Sequence, residues 1–140
     1  MIFEPAVPPG DRVGFLAWFA GVLRLSEGHL SSDPYAASAR LQGWYRDIMR
    51  TYPPTSGPDA GRFETSHDER LAEYRFGPNV IVASFQWDVS RAAHDRAMKI
   101  ARAHGLGLFD TSGEDAAVWA PTPDQRFVIV HRGEKAAERF

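Results

Sequence analysis

Five histidines are the residues best suited to acid–base or metal chemistry: His29, His67, His94, His104 and His131. None stands in a ligand spacing such as H-x-E or H-E-x-x-H. Only His67 adjoins carboxylates, in His67-Asp68-Glu69, and consecutive side chains point apart, so chelation there needs a distant partner such as His29. His94 and His104 fall on one predicted helix, roughly 15 Å apart at 1.5 Å per residue, and cannot share a ligand. His104, in the last turn, reads as a cation near the helix C-terminus. Ser66-His67-Asp68 is contiguous and cannot form a catalytic triad. Cysteine is absent, which removes thiolate nucleophiles, disulfides and Cys-based zinc sites. Gly105-Leu106-Gly107 closes a helix, whereas a phosphate cradle opens one. The residue types therefore assign no catalytic residue, no cofactor site and no metal site.

Carboxylates give a second kind of signal. Asp110, Glu114 and Asp115 surround a turn at Gly113, close in sequence to Trp119. Their spacing departs from a calcium-binding EF-hand loop and reads as a hairpin turn able to meet a basic partner. Asp68 and Glu69, at the end of an Asp59–Glu69 loop, form a second edge of that contact set. The formal charge is −2, from 16 Lys+Arg against 18 Asp+Glu, which is no footprint for nucleic acid. Arg91, Arg96, Lys99 and Arg102 read as one solvated helix face. Among the aromatic residues, Trp18, Tyr45 and Tyr52 are the expected exposed anchors. An alternative site is a pocket whose mouth carries His29, His67, Asp68 and Arg70.

The elements that must position these residues follow from periodicity. Asp11 caps a helix over Arg12–Leu25 that is apolar almost all round, and Ser26–Ser32 follows as a polar loop. Asp33-Pro34 starts a second helix, in which Leu41, Trp44, Tyr45, Ile48 and Met49 form a core-facing stripe. Tyr52-Pro53-Pro54 stops it. Leu71–Phe76 and Val80–Trp87 are strands joined by Gly77-Pro78-Asn79. Ser90–His104 is a helix capped by Asp88 or Ser90 and closed by Gly105. Short strands are expected at Leu106–Phe109, Ala116–Trp119 and Arg126–His131, with Met1–Phe3 as a short edge strand. The 140 residues, 44% hydrophobic, suit one domain. The expected fold class is α+β: a single two-layer domain with a helical hairpin at about 11–51, an irregular loop at 53–70, a sheet/helix unit at 71–131 and a charged tail at 132–140. The sheet is mostly antiparallel, with 4–6 strands and one crossing helix at about 90–104. Met1-Ile2-Phe3-Glu4-Pro5 carries no signal-peptide pattern, and Val13–Leu25 is too short to span a bilayer, so a cytoplasmic location without membrane contact is expected.

The stretches Trp18…Ser26-Glu27-Gly28-His29…Asp33-Pro34…Leu41…Trp44…Met49…Thr51-Tyr52-Pro53-Pro54…Gly57-Pro58, Val82…Phe85…Trp87, Ala103-His104-Gly105-Leu106-Gly107-Leu108-Phe109-Asp110 and Val118-Trp119…Pro121 resemble a family of small, uncharacterised bacterial proteins. The opening Ile2-Phe3-Glu4-Pro5 is shorter than the first strand usual there. The resemblance implies an α+β cytoplasmic domain and brings no catalytic residues; some similar proteins look like immunity proteins that neutralise a toxin. The expected function is thus a non-enzymatic protein-binding module of immunity type, without a cofactor, whose partner is a protein such as a basic toxin domain. The alternatives are a small enzyme or ligand-binding domain with a pocket between helical hairpin and sheet, and a structural module that homo-oligomerises through its apolar first helix. Monomer and homodimer are both compatible with the sequence.

Overall fold

Strand alternation sends neighbouring apolar residues to opposite faces of a sheet, and here both faces are apolar at the sheet's centre. The structure is a computed structural model that describes residues 1–62, 68–111, 116–124 and 126–131. Its strands are β1 (Ile2–Phe3), β2 (Glu73–Gly77), β3 (Val80–Ser84), β4 (Gly107–Phe109), β5 (Val118–Pro121) and β6 (Phe127–His131). They form one antiparallel sheet in the order β2-β3-β1-β4-β5-β6. The helices are α1 (Arg12–His29), α2 (Ala39–Ile48) and α3 (Ser90–Ala103). The α+β class, the antiparallel sheet and the crossing helix α3 are as expected.

On one face, Ile2, Phe76, Ile81 and Leu108 pack with Leu41, Trp44, Tyr45 and Ile48 of α2 and with Ala93, Ala97 and Ala101 of α3. The small α3 residues let the helices approach, and the Trp44 indole N–H donates to the Ala97 carbonyl at 3.0 Å. The other face buries Phe3, Val80, Phe109 and Val118 against Phe15, with Trp18, Phe19 and Val22 of α1 around them. Thus α1 and α2 lie on opposite faces, and the expected helical hairpin is not formed. The physical reason is the sheet itself, whose Ile2/Phe3, Val80/Ile81 and Leu108/Phe109 pairs demand a helix on each side.

The first strand is not at an edge. Its two residues are each 2% exposed and pair with β3 on one side and β4 on the other. Gly107 lies against the Phe3 ring, where any Cβ would collide with it. Other boundaries shift for local reasons. Helix α1 continues to His29, into the expected polar loop. Asp33 caps only a 3-10 turn, Pro34–Ala36, and α2 starts at Ala39, with the Ser38 hydroxyl accepting from the Leu41 N–H at 3.4 Å. Residues Trp87–Val89 form a 3-10 turn in place of the end of a strand, so Val89 is the α3 N-cap and neither Asp88 nor Ser90 caps it. Gly105, with φ of 68°, ends α3 as expected: the Leu106 N–H reaches the Ala101 carbonyl at 2.9 Å and the Gly105 N–H the Arg102 carbonyl at 3.2 Å.

Candidate functional site

Of the acidic contact set, Asp110 follows β4 and turns towards α3, its Oδ2 3.7 Å from Nδ1 of His94. That is an ion pair when the imidazole is protonated but too long for a hydrogen bond. Ser84, Phe85, Ser90, His94, Leu108 and Asp110 line a cavity of about 270 Å³ between α3 and the strand ends. Ser90 stands one turn before His94 on α3. Trp119 is half-buried and stacks on Phe127 with ring centroids 5.9 Å apart. Glu114 and Asp115 lie outside the described residues. Asp68 and Glu69 belong to a 3-10 turn, Asp68–Arg70, that leads into β2. Four interstrand steps separate β2 from β5, roughly 19 Å at 4.8 Å each.

Of the alternative pocket, His29 and Arg70 are placed by the bridges beside them. His67 lies outside the described residues, and of His29 and Asp68 only the backbone is described. His29 ends α1 just before Ser31, which pairs with Phe76, whereas Arg70 precedes Ala72, which pairs with Pro54 at the opposite end of β2. Those two bridges are roughly 13 Å apart along the strand. With α1 and α2 on opposite faces, no space between a helical hairpin and the sheet exists. His104 serves as an α3–α2 tie, Nε2 lying 2.7 Å from Asp47 Oδ2. Among the described residues no group of three or more His, Asp or Glu is placed to hold a metal ion, and no helix is long and apolar enough to cross a membrane.

The expected anchors also move. Tyr45 and Tyr52 are buried, and Trp18 is half-buried against Phe3 and Phe15. Among the described residues the exposed aromatics are Tyr35 at 81% and Trp87 at 86%, both in 3-10 turns.

The feature that sequence reasoning missed is the outer edge of β6. Ala120 pairs with Val128 and Pro121 with Phe127, and the Thr122 N–H donates to the Arg126 carbonyl at 2.7 Å. Antiparallel ladders alternate bonded and non-bonded pairs, so Arg126 and Val128 bond inward and the N–H and C=O groups of Phe127 and Ile129 point outward. Pro121, which has no N–H to share, stands where that alternation requires no bond. No strand pairs with this edge among the described residues. Past Ile129, two β6 residues face one of β5, so Val130 is bulged, and it is 46% exposed. On the α1 face, Phe3, Pro8, Pro9, Phe15, Ala120 and Val130 line a shallow groove of about 180 Å³ beside it. The available signal was Phe127-Val128-Ile129-Val130, an uncharged β-branched run in the last strand of the described chain.

Compared with known proteins, the chain matches no family model, no curated protein and no solved structure.

Proposed function

We propose that this chain is a non-enzymatic protein-binding module that captures an extended segment of a partner protein along β6. The observation that carries the reading is the open edge of β6, with four outward backbone groups at Phe127 and Ile129 and an apolar groove next to them. Strand addition uses those two parts together: main-chain hydrogen bonds provide affinity, and a groove for alternate side chains provides specificity. Each bond contributes on the order of 1 kcal/mol net, so the edge needs the groove to reach useful affinity. The toxin-inhibitor role implied by the resemblance is the form of capture we put first, acting in the cytoplasm. Asp110 contributes less to it than expected, because its carboxylate faces His94.

The test is capture from the native host with three baits: the unaltered chain, Val130→Lys and Ile129→Pro. Lysine on an edge and proline at an outward N–H both block strand addition, and neither removes a β5–β6 ladder bond. One stoichiometric partner held by the unaltered chain and lost from both variants supports the reading; binding of the purified pair then weakens at least about tenfold. Capture that both variants retain, or no partner at all, overturns it. Self-association is a second reading, favoured by Val13, 79% exposed on α1. Sedimentation of the unaltered chain as a dimer, abolished by Val13→Glu, separates it from edge capture.

A further inference from the structure

The C-terminal half of α3 faces the β5–β6 hairpin across a second cavity. Lys99 and Arg102, one turn apart on α3, line it on one side, and Arg126, Phe127, Pro121 and Thr122 line it on the other. Its volume is about 580 Å³, within the usual range of small-molecule sites, roughly 300–1,000 Å³. Three cations border this cleft, and among the described residues no acid lines it, although Asp124 pairs with Arg126 beside it. Lys99 and Arg102 have no ion-pair partner among the described residues. Arg126 uses its Nε to bond Asp124 Oδ2 at 2.8 Å, which leaves its terminal N–H groups without a described partner.

The ordinary explanation of cations in a last helical turn is compensation of the macrodipole through the free carbonyls. Those carbonyls are already served here. Ile100, Ala101 and Arg102 accept from His104, Leu106 and Gly105, and the Gly105 carbonyl accepts from Arg40 Nη1 at 3.3 Å. Arg126 comes from the hairpin, where its Nε pairs with Asp124 and its terminal N–H groups remain for a ligand. Like charges around one cavity repel unless an anion sits between them, and guanidinium forks match phosphate oxygens geometrically. The fourth wall is apolar: Phe127 lies nearly parallel to Trp119, at 15° between ring planes, and is held beside Pro121.

We propose that this cleft binds a small phosphate-bearing molecule with a flat ring, of mononucleotide size. Lys99, Arg102 and Arg126 take the phosphate oxygens, and Phe127 with Pro121 takes the ring. The cleft shares Arg126 and Phe127 of β6 with the capture edge, whereas Lys99 and Arg102 lie on α3, away from that edge. A polymeric nucleic acid is disfavoured by the net charge of −2 and by the confinement of the cations to one cleft.

The test is an amide-resolved NMR titration of the full chain with adenosine 5′-monophosphate, inorganic phosphate and adenosine, all at matched ionic strength. The expected result is saturable movement of Lys99, Arg102, Gly105 and Phe127 with the nucleotide, a weaker response to phosphate, and none to adenosine. Arg102→Glu and Lys99→Glu, both at exposed positions, weaken nucleotide binding by roughly tenfold or more. Arg91→Glu, on the same helix but outside the cleft, leaves it unchanged. Non-saturating shifts, an equal loss in Arg91→Glu, or tighter binding of a single-stranded oligonucleotide than of the mononucleotide overturns the proposal.

Discussion

The two edges of the sheet are built in opposite ways. At β2, Phe76 exchanges both of its outward backbone bonds with Ser31, at 2.7 and 2.9 Å. Ala72 is held in the same manner, donating to the Pro53 carbonyl at 2.9 Å and accepting from the Thr55 N–H at 3.0 Å. The segments that follow α1 and α2 thus both return to β2. Behind it stand Tyr45, Tyr52, Tyr74, Phe76 and Phe85 in edge-to-face contacts. At β6 no described segment returns, and the rings behind it are a half-buried stacked pair, Trp119 and Phe127, on one face and His131 against Phe15 on the other. Unpaired edges invite further strands, so their closure is a structural choice with consequences. Among the described residues, the chain closes one edge with its own helix connections and leaves the other to the bulge at Val130.

The deepest test of that contrast compares rings behind the two edges. Tyr74→Ala removes a buried ring and the hydroxyl that donates to the Tyr52 carbonyl at 2.7 Å, for an expected loss of about 3–5 kcal/mol. Phe127→Ala, on the half-buried pair, is expected to cost about 1–2 kcal/mol. Denaturant unfolding measures both; equal losses would mean that the edges are equally supported. Next in size is Ser31→Pro. Leu30 already has φ of −85° and ψ of 133°, which suits the residue before proline. The change removes the N–H to the Phe76 carbonyl and the hydroxyl that accepts from the Asp33 N–H at 2.9 Å, and about 1–3 kcal/mol is expected. It should also speed hydrogen exchange along β2 and leave β6 untouched.

How much of this was legible depended on whether a signal was local. The α2 stripe read correctly because Leu41, Trp44, Tyr45, Ile48 and Met49 repeat with helical period on one side only, and all five are buried. The β2–β3 hairpin and the stop at Gly105 were announced by their turn residues. Helix α1 is apolar on nearly every side, so no face of its sequence says which side of a sheet it covers. Strand β1 has only two residues, too few for alternation to be visible, although both occupy the sheet's centre. Tyr45 and Tyr52 look like anchors in composition alone. The Tyr45 hydroxyl, however, is satisfied by Asp59 at 3.0 Å, which lets the ring go inside. The open edge was hidden because strand order is set by pairings between distant segments, and it does not follow chain order.

A smaller effect sharpens the chemistry behind β2. Burial raises the Tyr74 phenol well above its ordinary value, and burial followed by the hydrogen bond to Asp59 raises that of Tyr45. A pKa raised in the folded state contributes stability that is present below the unfolded value of 10.0 and is lost as pH climbs through the folded value. Alkaline unfolding should therefore begin above pH 10 and open the β2 side before β6. Tyr74→Phe should cost about 1 kcal/mol at neutral pH, for the lost bond to Tyr52, yet decline less steeply in alkali. Parallel alkaline curves for the two proteins would remove Tyr74 from this account.

The smallest expected change in stability carries the most functional weight. Val130 is 46% exposed and sits on a bulge, so lysine there displaces little packing. Thermal melting of Val130→Lys should stay within about 0.5 kcal/mol of the unaltered chain. Its effect belongs to the edge, where an ammonium on the outer strand opposes the approach of another backbone. The informative comparison is with Ser31→Pro, which opens the edge that the fold closes. If openness governs association, Ser31→Pro gains concentration-dependent self-association by sedimentation, whereas Val130→Lys loses partner capture with its melting unchanged. Capture that survives Val130→Lys, together with a monomeric Ser31→Pro, would mean that backbone closure at β2 and its absence at β6 differ in stability alone.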